Sequence, residues 1–380
     1  MRKGAATKQR DWLVLLNAPT TGGVSLIKVI KALGDVSTVA AASVRDLTHH
    51  GLAKDAATAI TRPDSAKIET DLEWLSHPDH HLLSWDDDAY PALLRRIDGP
   101  PAALFLDGDP GCLWQPQIAI IGSRNPTAGG LDHARDFTTT LARQGMTITS
   151  GLASGIDSAA HTACLDAGAQ TIAVNGTGLD LVYPASSRAV AERVRSQGVM
   201  ISELPLGSPP RRKHFPSRNR IISGLSLAVL VIEAGLNSGT LITARKAAEQ
   251  GREVFALPGS LHNPMAKGCH RLIREGARLV ETTADIMQEL GPVAAQLQME
   301  IRQRLEPSPE AGKTTVGSKE SLLDDADYSI LWEVLGYDPM PVDTLVERSG
   351  LSAREVSSML LLMELKGLVK KQGSGRYFRA

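Results

Sequence analysis

Seven short apolar runs, spaced by helix-length segments, constrain this chain more than any other feature. They lie at 118–121, 146–149, 171–174, 199–202, 227–232, 254–257 and 278–280. Helical patterns at 131–144, 156–167, 186–197 and 238–250 fall between them. Strands this short, alternating with helices of this length, predict a parallel sheet covered on both faces. Ligands of such a sheet bind at the C-terminal ends of its strands.

A length of 380 residues calls for two or three domains. The α/β core is expected over 79–290. Before it, residues 1–78 read as an all-helical module. Trp12, Leu13, Leu15 and Leu16 open one helix, Pro19-Thr-Thr-Gly-Gly23 breaks it, and Leu26, Ile27, Ile30 and Leu33 resume the period. After a break at Gly34-Asp35, Val44, Leu47 and Leu52 continue the helical pattern. The module is of a SAM or helix-hairpin-helix kind, which either packs or touches a DNA backbone. Residues 291–320 lose apolar periodicity and read as a linker. Residues 321–380 pattern as three helices, the third opened by a capping box at Ser352-Ala-Arg-Glu355, and a hairpin turned at Gly373-Ser-Gly375. That is a winged-helix pattern.

The net charge of −1 says nothing about nucleic acid, so only local pattern can. The run from Pro209 to Arg220 carries Arg211, Arg212, Lys213, Arg218 and Arg220 with His214, and no acid. Phe215, Ile221 and Ile222 tie it to the core, and Pro216 suits the first turn of a helix. Arginine forks suit phosphate oxygens and stack on bases. The alternative is a solvated helix face with long arginines.

Strand-end loops give this run a setting. Gly122-Ser-Arg124 follows the first core strand, and Ser123, Arg124 and Thr127 offer donors ahead of a helix N-terminus. The loop is neither GxGxxG nor a Walker A sequence, and a plain tight turn would also use its glycines. Ser150–Asp157 and Gly176-Thr-Gly178 end the next two strands. Asn237-Ser-Gly-Thr240 opens a later helix, as a second phosphate-suited start or as capping alone. Asp157 and His161 share a helix face; capping of the helix by Asp157, or a structural hydrogen bond between the two, is the expected role, with no metal site. Together these segments predict a groove at the sheet's C-terminal edge, with Asn219 and Phe215 beside the arginines.

No catalytic constellation, zinc spacing or cofactor fingerprint stands out. Cys112, Cys164 and Cys269 lie far apart and read as reduced thiols of a cytoplasmic protein. The N-terminal apolar stretch is too short for a signal peptide or a membrane span.

These residues resemble the DNA processing protein A family, also called DprA or Smf. The resemblance runs through Tyr90-Pro91, Ile120-Ile-Gly-Ser-Arg124, Ser150-Gly-Leu-Ala-Ser-Gly-Ile-Asp157, Gly176-Thr-Gly-Leu-Asp180, Tyr183-Pro184, Phe215-Pro-Ser-Arg-Asn-Arg220, Ser238-Gly-Thr240, Ala256-Leu-Pro-Gly259 and Gly268-Cys-His-Arg271. It covers residues from about 80 to 285 in order. It implies an extended Rossmann-like fold that binds single-stranded DNA, protects it during natural transformation and loads RecA recombinase onto it. It also implies a homodimer. It carries over as a DNA-contacting loop at Gly122, Ser123 and Arg124 and a basic patch at Arg211, Arg212, Lys213, Arg218 and Arg220. Ser217 departs from many relatives, which place a larger or basic residue there. The tail's Lys370, Lys371, Arg376 and Arg379 could contact duplex DNA as a wing, or the tail could serve protein contact. Two other functions remain open at this point: a nucleotide phosphoribohydrolase, from the faint likeness at Ser238-Gly-Thr240, and a winged-helix transcription factor.

Overall fold

The computed structural model describes residues 2–19, 23–290, 326–336, 339–351, 356, 359–360, 363, 368–372 and 376–379. The chain divides into two compact units, Met1–Ile301 and Arg302–Ala380.

The first unit opens with helices α1 (Arg2–Leu16), α2 (Gly23–Leu33), α3 (Val36–Ala41), α4 (Val44–His49), α5 (Lys54–Thr61) and α6 (Ser65–Trp74). Gly34 at φ 110° lets the chain turn between α2 and α3, and the Asp35 side chain accepts from the Thr38 N–H at 2.7 Å to cap α3. The sheet then runs through β1 (His80–Ser84), β2 (Ala103–Gly108), β3 (Gln117–Gly122), β4 (Thr147–Ser150), β5 (Thr171–Val174), β6 (Val199–Ser202), β7 (Ala228–Ile232), β8 (Glu253–Ala256) and β9 (Arg278–Leu279). Its order is β1-β2-β6-β5-β4-β3-β7-β8-β9. The seven strands from β6 across to β9 are parallel, while β1 and β2 form an antiparallel edge. All seven expected strands are present, two at the expected bounds and five within one residue of them.

Alternation along the strands feeds two cores. Ala119 and Ile121 of β3 point to the face covered by α11 (His214–Leu225), α12 (Thr240–Glu249) and α13 (Lys267–Arg274). Ile118 and Ile120 point to the face covered by α8 (Ala128–Arg143) and α9 (Ile156–Asp166), while α7 (Ala92–Arg95) precedes β2 and α10 (Arg188–Gln197) precedes β6. These side chains are almost fully buried, so truncating one of the three isoleucines to Ala costs about 2–5 kcal/mol.

The helical module is not separate from this sheet. Trp12, Leu15, Leu26 and Ile30 share a core with Ala102 and Ala103 at the start of β2, and Leu13 and Ile68 pack with Phe105, Leu165 and Met200. A Cβ on Gly23 would lie 2.5 Å from the Pro100 carbonyl, so α2 can start there only as glycine. The expected boundary at 78/79 separates elements but not packing. Among the described residues, no helix is long and apolar enough to cross a membrane.

The second unit holds helices Ala326–Val334 and Val342–Ser349 and strands β10 (Met340–Pro341), β11 (Val369–Gln372) and β12 (Arg376–Arg379), in the order β10-β12-β11. Leu331, Leu345, Val356, Leu360, Met363 and Val369 form its core. The short β10 was not expected. The linker 291–320, the capping box 352–355 and the glycine turn 373–375 lie outside the described residues. Lys370 and Arg376 are exposed, and the Lys371 side chain is not described. Arg379 is turned inward: its guanidinium lies 4.4 Å from the Trp332 ring centroid and donates to the Trp332 carbonyl.

Candidate nucleic-acid interface

The strand order reverses at β3, which has β4 on one side and β7 on the other. Loops diverge at such a switch point and leave a crevice. Here the crevice is a cleft of about 930 Å³. It brings together Gly122, Ser123, Arg124, Arg212, Phe215, Arg218, Asn219, Asn237, Ser238, Gly239 and Thr240 from the sequence-predicted set. Arg124 and Arg212 are exposed, and among the described residues neither meets a carboxylate. Two loops thus present free guanidinium groups to one cleft.

Close backbone approach shapes this cleft. A Cβ on Gly122 would lie 2.0 Å from the Ile232 carbonyl, so only glycine lets β3 end against β7. The Thr240 hydroxyl donates to the Gly122 carbonyl at 2.9 Å and fixes the start of α12 to the β3 loop. The Ser238 hydroxyl accepts from the Thr240 N–H at 3.2 Å. Asn237 and Gly239 stay exposed at the same helix start, beside the positive end of its dipole.

Thr127 does not join them. Its N–H and hydroxyl donate to the Glu233 carboxylate at 2.8 and 2.6 Å, and its oxygen accepts from the Gly130 N–H at 3.0 Å. Asn263 donates to Glu233 at 2.9 Å as well. The anion place at the head of α8 is therefore filled from within the protein. A Glu233→Ala variant is expected to lose about 1–3 kcal/mol, the cost of orphaned partners. Millimolar phosphate should then raise the Tm of the variant by more than that of the wild type, read by thermal shift.

Arg218 and Arg220 also differ from expectation. Arg218 is 5% exposed. It donates to the Gly151 carbonyl at 2.7 Å and to the Val174 carbonyl, and so links the ends of β4 and β5. Burial pulls its guanidinium down to about 10, against the opposing effect of Asp157. A Cβ on Gly151 would lie 2.6 Å from this guanidinium, so the glycine exists to admit the arginine. Arg220 forms a two-pronged pair with Glu203 at 2.7 and 2.6 Å and donates to the Gly99 carbonyl at 2.7 Å. Both arginines are held by internal partners, Arg218 in the wall of the cleft and Arg220 in that of a neighbouring groove.

The remaining cations of the run split. Arg212 lines the cleft. Arg211 and Lys213, exposed and without a carboxylate partner among the described residues, line a second groove instead.

Asp157 and His161 serve the frame. Asp157 accepts from the Gly151 and Ala153 N–H groups at 3.2 and 3.4 Å, and burial raises its carboxyl. Nδ1 of His161 pairs with the Thr171 hydroxyl at 2.8 Å. Burial, helped by Arg218, pushes His161 down to about 3. Its unfolded value is about 6.5, so the unfolded chain binds the extra proton between these values. The stability from neutral His161 is present above pH 6.5 and lost as pH falls toward about 3. Asp157, with its raised value, works in the opposite direction at the acid end. Urea titrations from pH 7 to pH 4 should show a shallower loss in His161→Gln than in wild type.

The sequence-predicted set missed several cleft residues, among them Asn125, Tyr183 and Lys267. Tyr183 is 48% exposed, and its ring centroid lies 5.4 Å from that of Phe215. An exposed aromatic in the strand-end segment Tyr183-Pro184 was the available signal.

Residues 81–291 match the family described as DNA recombination-mediator protein A, and residues 313–375 match the DprA winged helix domain. Protein Smf of Escherichia coli strain K12 is 38% identical over 359 residues, which is 94% of this chain and 92% of that protein. The X-ray structure of DNA processing protein A from Streptococcus pneumoniae has a TM-score of 0.67 and 35% identity, over 74% of this chain and 97% of that one. A Helicobacter pylori DNA processing protein A structure, described for its single-stranded DNA binding mode, has a TM-score of 0.51 and 29% identity, over 57% of this chain and 97% of that one. By the span of the family match and the full-length likeness to Smf, this chain belongs to the DNA recombination-mediator protein A family.

Proposed function

We propose that the cleft binds single-stranded DNA without regard to sequence. Acting as a cytoplasmic homodimer, the protein protects incoming DNA during natural transformation and loads RecA onto it. One observation carries this reading: Arg124 and Arg212, both exposed and unpaired among the described residues, meet the open start of α12 in one cleft. Charge there neutralises phosphates, and Tyr183 and Phe215 offer rings to bases. The single-strand binding described for the Helicobacter pylori relative supports the same assignment. Lys370 and Arg376 are the wing residues available for duplex contact.

The reading is of a binding protein, not a hydrolase. Glu233, the carboxylate at the end of β7, is committed to Thr127 and Asn263. Purified protein incubated with AMP or CMP is expected to release no free base. A gel shift with single-stranded and duplex oligonucleotides tests the binding reading. Preference for the single strand supports it, and equal or stronger duplex binding contradicts it.

A further inference from the structure

Beside the cleft, between the helical module and the basic run, lies a groove of about 650 Å³. Asn17 and Gly23 line it from the helical module, and Arg211, Lys213 and Ser217 from the run. We propose that this groove is a second track for phosphodiesters, which takes the continuation of a strand seated in the cleft. The inference rests on the reading of the cleft as a single-strand site.

Charge favours an anion here. Arg211 and Lys213 are exposed and meet no carboxylate among the described residues. Glu203 is the acid in the described lining, and Arg220 already holds both of its oxygens. α11 also begins at this groove: Lys213 is its cap residue, and no side chain caps it. The positive end of that helix adds to the two side-chain charges.

Continuity is built into the chain. Arg212 lines the cleft, while its neighbours Arg211 and Lys213 line the groove. Successive Cα atoms are about 3.8 Å apart. Cation follows cation along this stretch of backbone, so the two lined surfaces meet at the basic run. The groove makes the helical module one wall of the binding surface, not only a packing partner.

The test compares thymidine oligonucleotides of about 5 and about 16 nucleotides, lengths that bracket ordinary single-strand sites. Binding to the full chain is measured across salt concentrations. Each phosphate neutralised on a single strand contributes about 0.7 to the slope of log K against log salt. The double variant Arg211→Ala/Lys213→Ala is expected to reduce the slope by about 1.4 on the longer strand and to leave the shorter one unchanged. An unchanged slope on the longer strand overturns the second track. So does an equal fall on both lengths. The cleft is read separately, through Arg212→Ala on the short strand. A wild-type chain that does not bind the short strand refutes the cleft reading and the track with it.

Discussion

Replacing Arg124 and Arg212 together with alanine is expected to weaken single-stranded DNA binding by about 100-fold. Hydrogen bonds to charged groups contribute about 1.5–3 kcal/mol each. Two lost contacts at the low end give about 3 kcal/mol, and each 1.4 kcal/mol is tenfold. Both side chains are exposed and carry no internal partner among the described residues, so the fold should tolerate their loss. Fluorescence anisotropy with a labelled oligonucleotide reads the affinity, and thermal melting confirms that the variant remains folded. A folded double variant with wild-type affinity would move the DNA contact elsewhere.

Arg218→Ala should act on the fold instead. The guanidinium is buried and donates to carbonyls at the ends of β4 and β5. Its removal leaves those oxygens unpaired and Asp157 without its buried counter-charge. Breaking such a buried charge arrangement costs about 3–5 kcal/mol. In a unit this large that corresponds to a fall in Tm on the order of 10 °C. Arg218→Lys should recover little, because an ammonium lacks the fork that spans two carbonyls. A variant that melts like wild type but fails to bind DNA would show that Arg218 acts at the ligand instead.

The contrast between these arginines marks how far the sequence could be read. The parallel sheet was legible because most of its strands are rich in apolar residues and its helices fall at regular intervals. The switch-point cleft followed from topology, since glycine-rich loops at parallel strand ends share one edge. Inward-turned Arg218 was less visible, yet a signal existed. Arg218, Ile221, Ile222 and Leu225 stand at i, i+3, i+4 and i+7 of α11, which is its buried face. The arginine holds an apolar position in the helix and so points into the core. Glu233 had no comparable signal. Its carboxylate reaches α8 only because β7 lies beside β3, a neighbourhood set by the sheet. The Arg220–Glu203 pair likewise joins α11 to the end of β6, and neither residue marks the other in sequence. The alternation that sends Arg212 one way and Arg211 and Lys213 the other depends on the turn before α11. Charge counting alone treats the three as one patch.

Hydrogen exchange of the full chain, with and without a saturating thymidine oligonucleotide, tests the central claim most directly. Binding in the cleft predicts slowed exchange at 122–125, 212–219 and 235–243, where the lining backbone lies. Protection confined to the hairpin strands Val369–Gln372 and Arg376–Arg379, with those cleft segments unchanged, would contradict it.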